Sequence, residues 1–202
     1  MKKILSLVAA VVLCATGAMA QVSVGVGYMQ PNHISTDNTL NGFYAGVDYN
    51  INLSGDLSVA PGVFYSRSFG TRAGGTSLFN INGSATYTED YVGVPLNFNY
   101  GLDLARDLRI SVFAGPTFAY GLTSTAKYDA SVAGISGSTT RDLYANENYK
   151  KMEVLVGGGF AFDYAHRFRV ALGYNVGMMD RDATDNGTFK RNYLHMGFAF
   201  LF

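Results

Sequence analysis

From residue 21 onward the chain alternates. Val22, Val24, Val26 and Tyr28 are separated by Ser23, Gly25 and Gly27. Side chains two apart on a strand share a face, so this period marks strands with one apolar face and one small or polar face. The pattern recurs over residues 43–51, 57–66, 92–100, 108–118, 152–163, 168–178 and 192–202. It predicts about eight strands of about ten residues each. That is the length a tilted strand needs to cross a bilayer, and an even count suits a transmembrane barrel. Pro61, Pro95 and Pro116 fall inside strands. Each removes one ladder donor, so a bulge or local widening is expected at each.

The connections alternate too. Residues 52–56, 102–107 and 165–167 are short; residues 31–41, 69–88, 122–148 and 180–191 are longer and rich in Gly, Ser, Thr, Asn and Asp. Tight turns at one end and long loops at the other are expected of an up-and-down barrel in an outer membrane. The parity puts both chain ends on the short-turn, periplasmic side and four long loops outside.

Composition decides which face meets what. The apolar set is bulky, whereas the opposite set is Gly, Ala, Ser and Asn with a few charges. An eight-stranded barrel is only just wide enough inside for side chains to fill it. The small set therefore belongs in the lumen and the bulky set toward lipid. A Lys or Arg at the middle of that lipid face would cost ~2–4 kcal/mol, and the apolar sets contain none there. Tyr49, Tyr100, Tyr164 and Phe202 fall near the short-turn ends, and Tyr28, Tyr65, Tyr120 and Tyr149 near the long-loop ends, as two aromatic girdles would.

The first twenty residues break the pattern. Lys2 and Lys3 precede an apolar run, and Ala18-Met19-Ala20 is a small-residue cleavage motif. This reads as a secretory signal peptide over residues 1–20, cut after Ala20, followed by one barrel domain over residues 21–202. The single cysteine, Cys14, leaves with it, so the mature chain has neither disulfide nor thiolate site. Loss of Lys2 and Lys3 lowers the basic count from 15 to 13 against 15 acidic residues, a net of −2. Nucleic acid is not an expected partner of such a surface.

The stretches YVGVPLNFNY (residues 91–100) and LRISVFAGPTFAY (residues 108–120), with the Phe-ended final strand, resemble the outer-membrane β-barrel domain family of Bacteroidota, sometimes labelled PorT-like. The resemblance implies an all-β, eight-stranded antiparallel transmembrane barrel similar in length to OmpX-type proteins. It implies no catalytic motif. The terminal Phe202 resembles the signal read by the barrel-assembly machinery, which would make it an assembly tag as well as a girdle residue.

The lumen charges are the candidate site. The hairpin at residues 165–167 sets Asp163 nearly opposite Arg169, with Arg109 starting the neighbouring strand at similar depth. An Arg109–Asp163–Arg169 cluster is expected near the short-turn end, as a charge-paired plug or an ion gate. Asp48, Glu153 and His195 also face the lumen by parity. His33 falls in a long loop and His166 in a short turn, so no nucleophile–base pair is legible. Residues 180–187 lack the spacing and the distal Glu of a calcium loop. No catalytic residue, cofactor or metal site is expected. The expected partners are outer-membrane lipids, the barrel-assembly machinery, and an extracellular ligand or protein met by the long loops, residues 122–148 foremost. The expected role is structural or surface-interactive, with a narrow channel for ions or small solutes, or a lipid-modifying enzyme, as alternatives.

Overall fold

The computed structural model describes residues 20–33, 39–76, 81–132, 135–145, 149–182 and 189–202. Among these residues nine antiparallel strands are formed: β1 Ala20–His33, β2 Asn41–Ser54, β3 Leu57–Thr76, β4 Ile81–Ala105, β5 Leu108–Val132, β6 Ile135–Asp142, β7 Met152–Tyr164, β8 Phe168–Gly177 and β9 Arg191–Leu201. Eight of them close a ring in the order β1-β2-β3-β4-β5-β7-β8-β9, with β9 paired back to β1. The ninth, β6, stands outside the ring. The lower part of β5 pairs with β7 and its upper part with β6, from Thr125↔Asp142 to Val132↔Ile135.

The bulky set points away from the axis. Phe160, Phe198, Phe118, Phe98, Leu172 and Val112 are about half exposed, while Ala161, Thr117 and Ser111 between them are buried. This is the inversion that the alternation predicts. The ladder keeps register through the prolines: Asp48↔Gly62 is followed by Ile51↔Val59, and Pro95↔Thr117 by Phe98↔Ala114. The prolines widen the ladder without bulging it. The bulge away from the turns lies elsewhere, where Asp90–Tyr91 faces Gly121 and Thr123 and leaves Leu122 extra. It flips the parity of β5, so that Ser124 and Ala126 become the buried residues above it.

Two expectations change. Residues 69–88, expected as a loop, and 122–148, expected as a loop with a short strand extension around Tyr128 and Ile135, carry long ones: β3 and β4 stay paired out to Thr76↔Ile81, and β4 and β5 out to Ile81↔Val132. Their residues are rich in Gly, Ser and Thr and pair without the apolar alternation that marks a half-buried strand. Second, Tyr149 is not a girdle residue. It stacks on Phe189 in the loops, with centroids 4.8 Å apart. The expected leader through residue 19 and residues 183–188 of the 180–191 connection lie outside the described residues.

Candidate functional site

The lumen is filled in layers. At the short-turn end is a polar vestibule of about 190 Å³ lined by Gln21, Asn50, Asn52, Ser58, Arg109 and His166, among others. Its floor is the Asp163–Arg169 pair. These residues are direct partners in the β7–β8 ladder, and the guanidinium donates Nε and Nη2 to the two carboxylate oxygens at 2.6 and 2.7 Å. Arg109 is also a ladder partner of Asp163, but its guanidinium turns away. It donates to Asp103 at 3.2 Å and to the Gly101 carbonyl at 3.3 Å, and lies 3.8 Å from Asp56. The turn carboxylates outcompete Asp163 because Arg169 already occupies both of its oxygens.

Beyond that pair is a second cavity of about 140 Å³. Asp48 lines it and accepts from the Ser23 hydroxyl at 3.4 Å. His195 lines it too, with its ring 5.7–6.2 Å from those of Tyr193, Tyr44 and Phe113. The cavity ends on an aromatic layer: Tyr44 and Tyr91 each set edge to face against Phe64, with Met29, Leu155 and Tyr193 buried around them. The sequence reading gave the lumen to small residues and left no room for rings. The rings fit because they sit over glycines. A Cβ on Gly93 would lie 2.4 Å from the Phe64 ring, one on Gly27 2.5 Å from Tyr44, and one on Gly159 2.6 Å from Phe113. The narrow bore is shared between one large and one absent side chain.

Above this layer is a buried ionic network. Arg191 donates to Glu153 at 2.5 Å and to Glu89 at 3.4 Å, and its guanidinium lies 3.9 Å over the Tyr91 ring. Arg181 donates to the other Glu89 oxygen at 3.4 Å and to the Tyr144 hydroxyl at 3.2 Å. Ser124 donates to Glu89 as well. All four charged side chains are at most 7% exposed, so the network replaces solvent as well as blocking it. Two arginines balance two glutamates. Arg181 is delivered by the β8–β9 loop, whose backbone is tied down by Lys150 N donating to Arg181 O at 2.8 Å and Arg181 N to Phe189 O at 2.9 Å.

The six expected lumen residues therefore occupy three levels. Arg109, Asp163 and Arg169 mark the vestibule, Asp48 and His195 the cavity, and Glu153 the far network. Ala20 begins β1 opposite Ile51. Phe202 is 72% exposed, its ring 4.8 Å from that of Phe200, and its N–H donates to Val22 O. Sequence reasoning missed Glu89, Arg181 and Arg191. Arg191 is in step with Tyr193 and His195, and Glu89 with Tyr91, so strand parity extended past the apolar segments would have found those two. Arg181 lies in a loop, where parity gives no signal.

A closed ring with an apolar outer wall and a charge-neutral, filled lumen is a transmembrane β-barrel. The sequence model of the family described as outer membrane protein beta-barrel domain matches residues 15–182. The chain belongs to that family, whose place is the bacterial outer membrane. Among solved structures it is similar to Neisserial surface protein A (13% identity over 91% of this chain and 97% of that one, TM-score 0.50). It is also similar to the outer membrane enzyme PagL (10% identity, 89% and 97%, TM-score 0.52). The attachment invasion locus protein Ail of Yersinia pestis, solved with the heparin analogue sucrose octasulfate, is 18% identical over 91% of this chain and 99% of that one, with a TM-score of 0.44. At these identities the likeness is one of fold. No curated protein matches the chain in sequence.

Proposed function

We propose that the protein is a sealed outer-membrane barrel that acts by surface contact, and that it neither transports nor catalyses. In this reading residues 1–20 are removed after Ala20, both ends of the mature chain lie in the periplasm, and Phe202 is the tag read by the barrel-assembly machinery. The narrower PorT-like kinship rests on the stretches at residues 91–100 and 108–120 and carries no partner with it. The observation that supports the reading is the sheet β3-β4-β5-β6 standing beyond the ring. Among the described residues its last strand, β6, pairs on one side only, and residues 136–142 are exposed. An edge free of proline, with its charges confined to Arg141 and Asp142, is a template for an extended segment of a partner protein.

The alternatives have less support. A channel would have to part the Arg191–Glu89–Glu153 network and the aromatic layer beneath it. An enzyme built on His195 would need a nucleophile beside a ring that packs against Tyr44, Phe113 and Tyr193. The deciding experiment is strand-edge blocking. A proline at Ser138 or Thr140 should abolish binding of a surface partner recovered by crosslinking on intact cells, with barrel heat-modifiability unchanged. Stable single-channel conductance of the purified protein would instead support transport.

A further inference from the structure

The lumen balances its charges as a whole but not at Asp48. This carboxylate lines the cavity between the Asp163–Arg169 pair and the aromatic layer. Its Oδ2 accepts from the Ser23 hydroxyl at 3.4 Å, and its Oδ1 lies over Gly62, where a Cβ would collide with it. Among the described residues Asp48 forms no ion pair. The guanidiniums that could match it are spent elsewhere. Arg169 shares the cavity lining but gives Nε and Nη2 to Asp163, and Arg109 turns to Asp103 and Asp56. His195 lines the same cavity and packs among the rings of Tyr44, Phe113 and Tyr193. A carboxylate inside a narrow lumen with one long hydrogen bond is costly unless a positive charge comes to it.

We propose that this cavity is a binding site for a small primary alkylammonium ion, its nitrogen on Asp48 and its alkyl body against the rings. The charge sets the sign of the ligand. The lining sets its shape: the Tyr44, Phe64 and Phe113 rings stand beside one carboxylate, which suits an apolar chain with a cationic head. An ammonium carries three donors. Asp48 takes one as a charge-assisted bond. Asn99 also lines the cavity and spends its amide nitrogen on Asn50 and Ser58, which leaves its carbonyl oxygen to accept another. The volume sets the size. The cavity measures about 140 Å³, and one of about 150 Å³ takes up benzene, so a ligand of roughly five heavy atoms fits.

Access is from the short-turn end. Asn99 and Arg169 line both this cavity and the vestibule, so these side chains stand between the two spaces. On the far side Phe64 and Tyr91, and then Arg191 with its two glutamates, close the lumen. The site is a dead end, entered and left by one door, and it asks for no passage through the barrel.

The test uses the mature barrel taken from the outer-membrane fraction and placed in nanodiscs, with n-butylammonium chloride as the probe. 1-Butanol is the neutral counterpart of the same shape, and sodium chloride supplies equal ionic strength. The unfolding midpoint should rise saturably with butylammonium and stay put with butanol or sodium. Asp48→Asn keeps the outline of the side chain and removes its charge, and should abolish the rise. A rise shared by sodium chloride, by butanol or by the Asp48→Asn variant overturns the proposal, as does no rise at all. A second measurement needs no variant: nuclear Overhauser contacts between the butyl chain and a labelled Phe113 ring are expected in the unaltered protein, and their absence at saturating probe overturns the site.

Discussion

The guanidinium of Arg191 joins three walls of the barrel: it bonds Glu153 on β7 and Glu89 on β4 from its own place at the start of β9, and it covers the ring of Tyr91. Glu89 lies 102 residues away in sequence. The network is thus completed only when the last strand arrives beside the first.

Removing Arg191 leaves two buried carboxylates with Arg181 as the one counter-charge among these four. Arg191→Met should destabilise the barrel by ~3–5 kcal/mol, as breaking a buried pair from one side does. Adding Glu153→Gln should restore part of that loss, because it removes the stranded charge. Urea titration of the compact gel form measures both, and a single-mutant loss near zero would contradict the assignment.

The two arginines at the vestibule should differ in worth. Arg169 and Asp163 have side chains 19% and 7% exposed, and a double-mutant cycle between them should return ~1–3 kcal/mol of coupling. Arg109 and Asp103 are 29% and 59% exposed, and their cycle should return under ~1 kcal/mol. Equal couplings would show that Asp163 is shared between both arginines in solution.

Tyr44 occupies space vacated by a glycine. A Cβ on Gly197 would sit 2.0 Å from the Tyr44 hydroxyl and 3.0 Å from Cζ. Gly197→Ala should therefore cost ~1–3 kcal/mol through overpacking. Tyr44→Phe should rescue most of it by deleting the clashing oxygen. Unfolding midpoints of the two single variants and the double variant test this, and additive losses would exclude the contact.

Asp180 orders the loop that delivers Arg181. Its carboxylate accepts the backbone N–H groups of Phe189 at 2.8 Å and Asp182 at 3.0 Å, which holds it below the usual carboxylate range. Its folded value lies below the unfolded one. The contribution to loop order is therefore present above the unfolded value and lost as pH falls through the folded value. Amide shifts of Phe189 and Asp182 in nanodiscs should titrate together with a midpoint below ~3.9, the ordinary Asp value. A midpoint at or above that value would remove the cap.

The ring was legible in sequence because each membrane-crossing strand has one lipid face. Phe160, Leu172 and Phe198 report that face directly, and so does the absence of charge among them. What lies off that face was legible only in part. The extension from Thr71↔Thr86 to Thr76↔Ile81 is built mostly of small and polar residues, so no apolar period marks it. The pairing of Asp163 with Arg169 followed from hairpin register, which is local. The pairing of Arg191 with Glu89 depends on ring closure, which a single strand's pattern does not encode. Lumen rings over Gly93 and Gly27 were hidden for the same reason: a glycine in one strand is explained by a side chain from another.

The central claim is the direction of the side chains, and single-cysteine spin labels test it. Cys14 falls in the proposed leader, so the mature background has no thiol. Labels at Phe160→Cys, Leu172→Cys and Val112→Cys should, in bilayers, collide with oxygen and be shielded from a water-soluble nickel reagent, while a label at Asn52→Cys in the vestibule should show the reverse. Nickel access at the first three positions, with Asn52→Cys buried in lipid, would contradict the account.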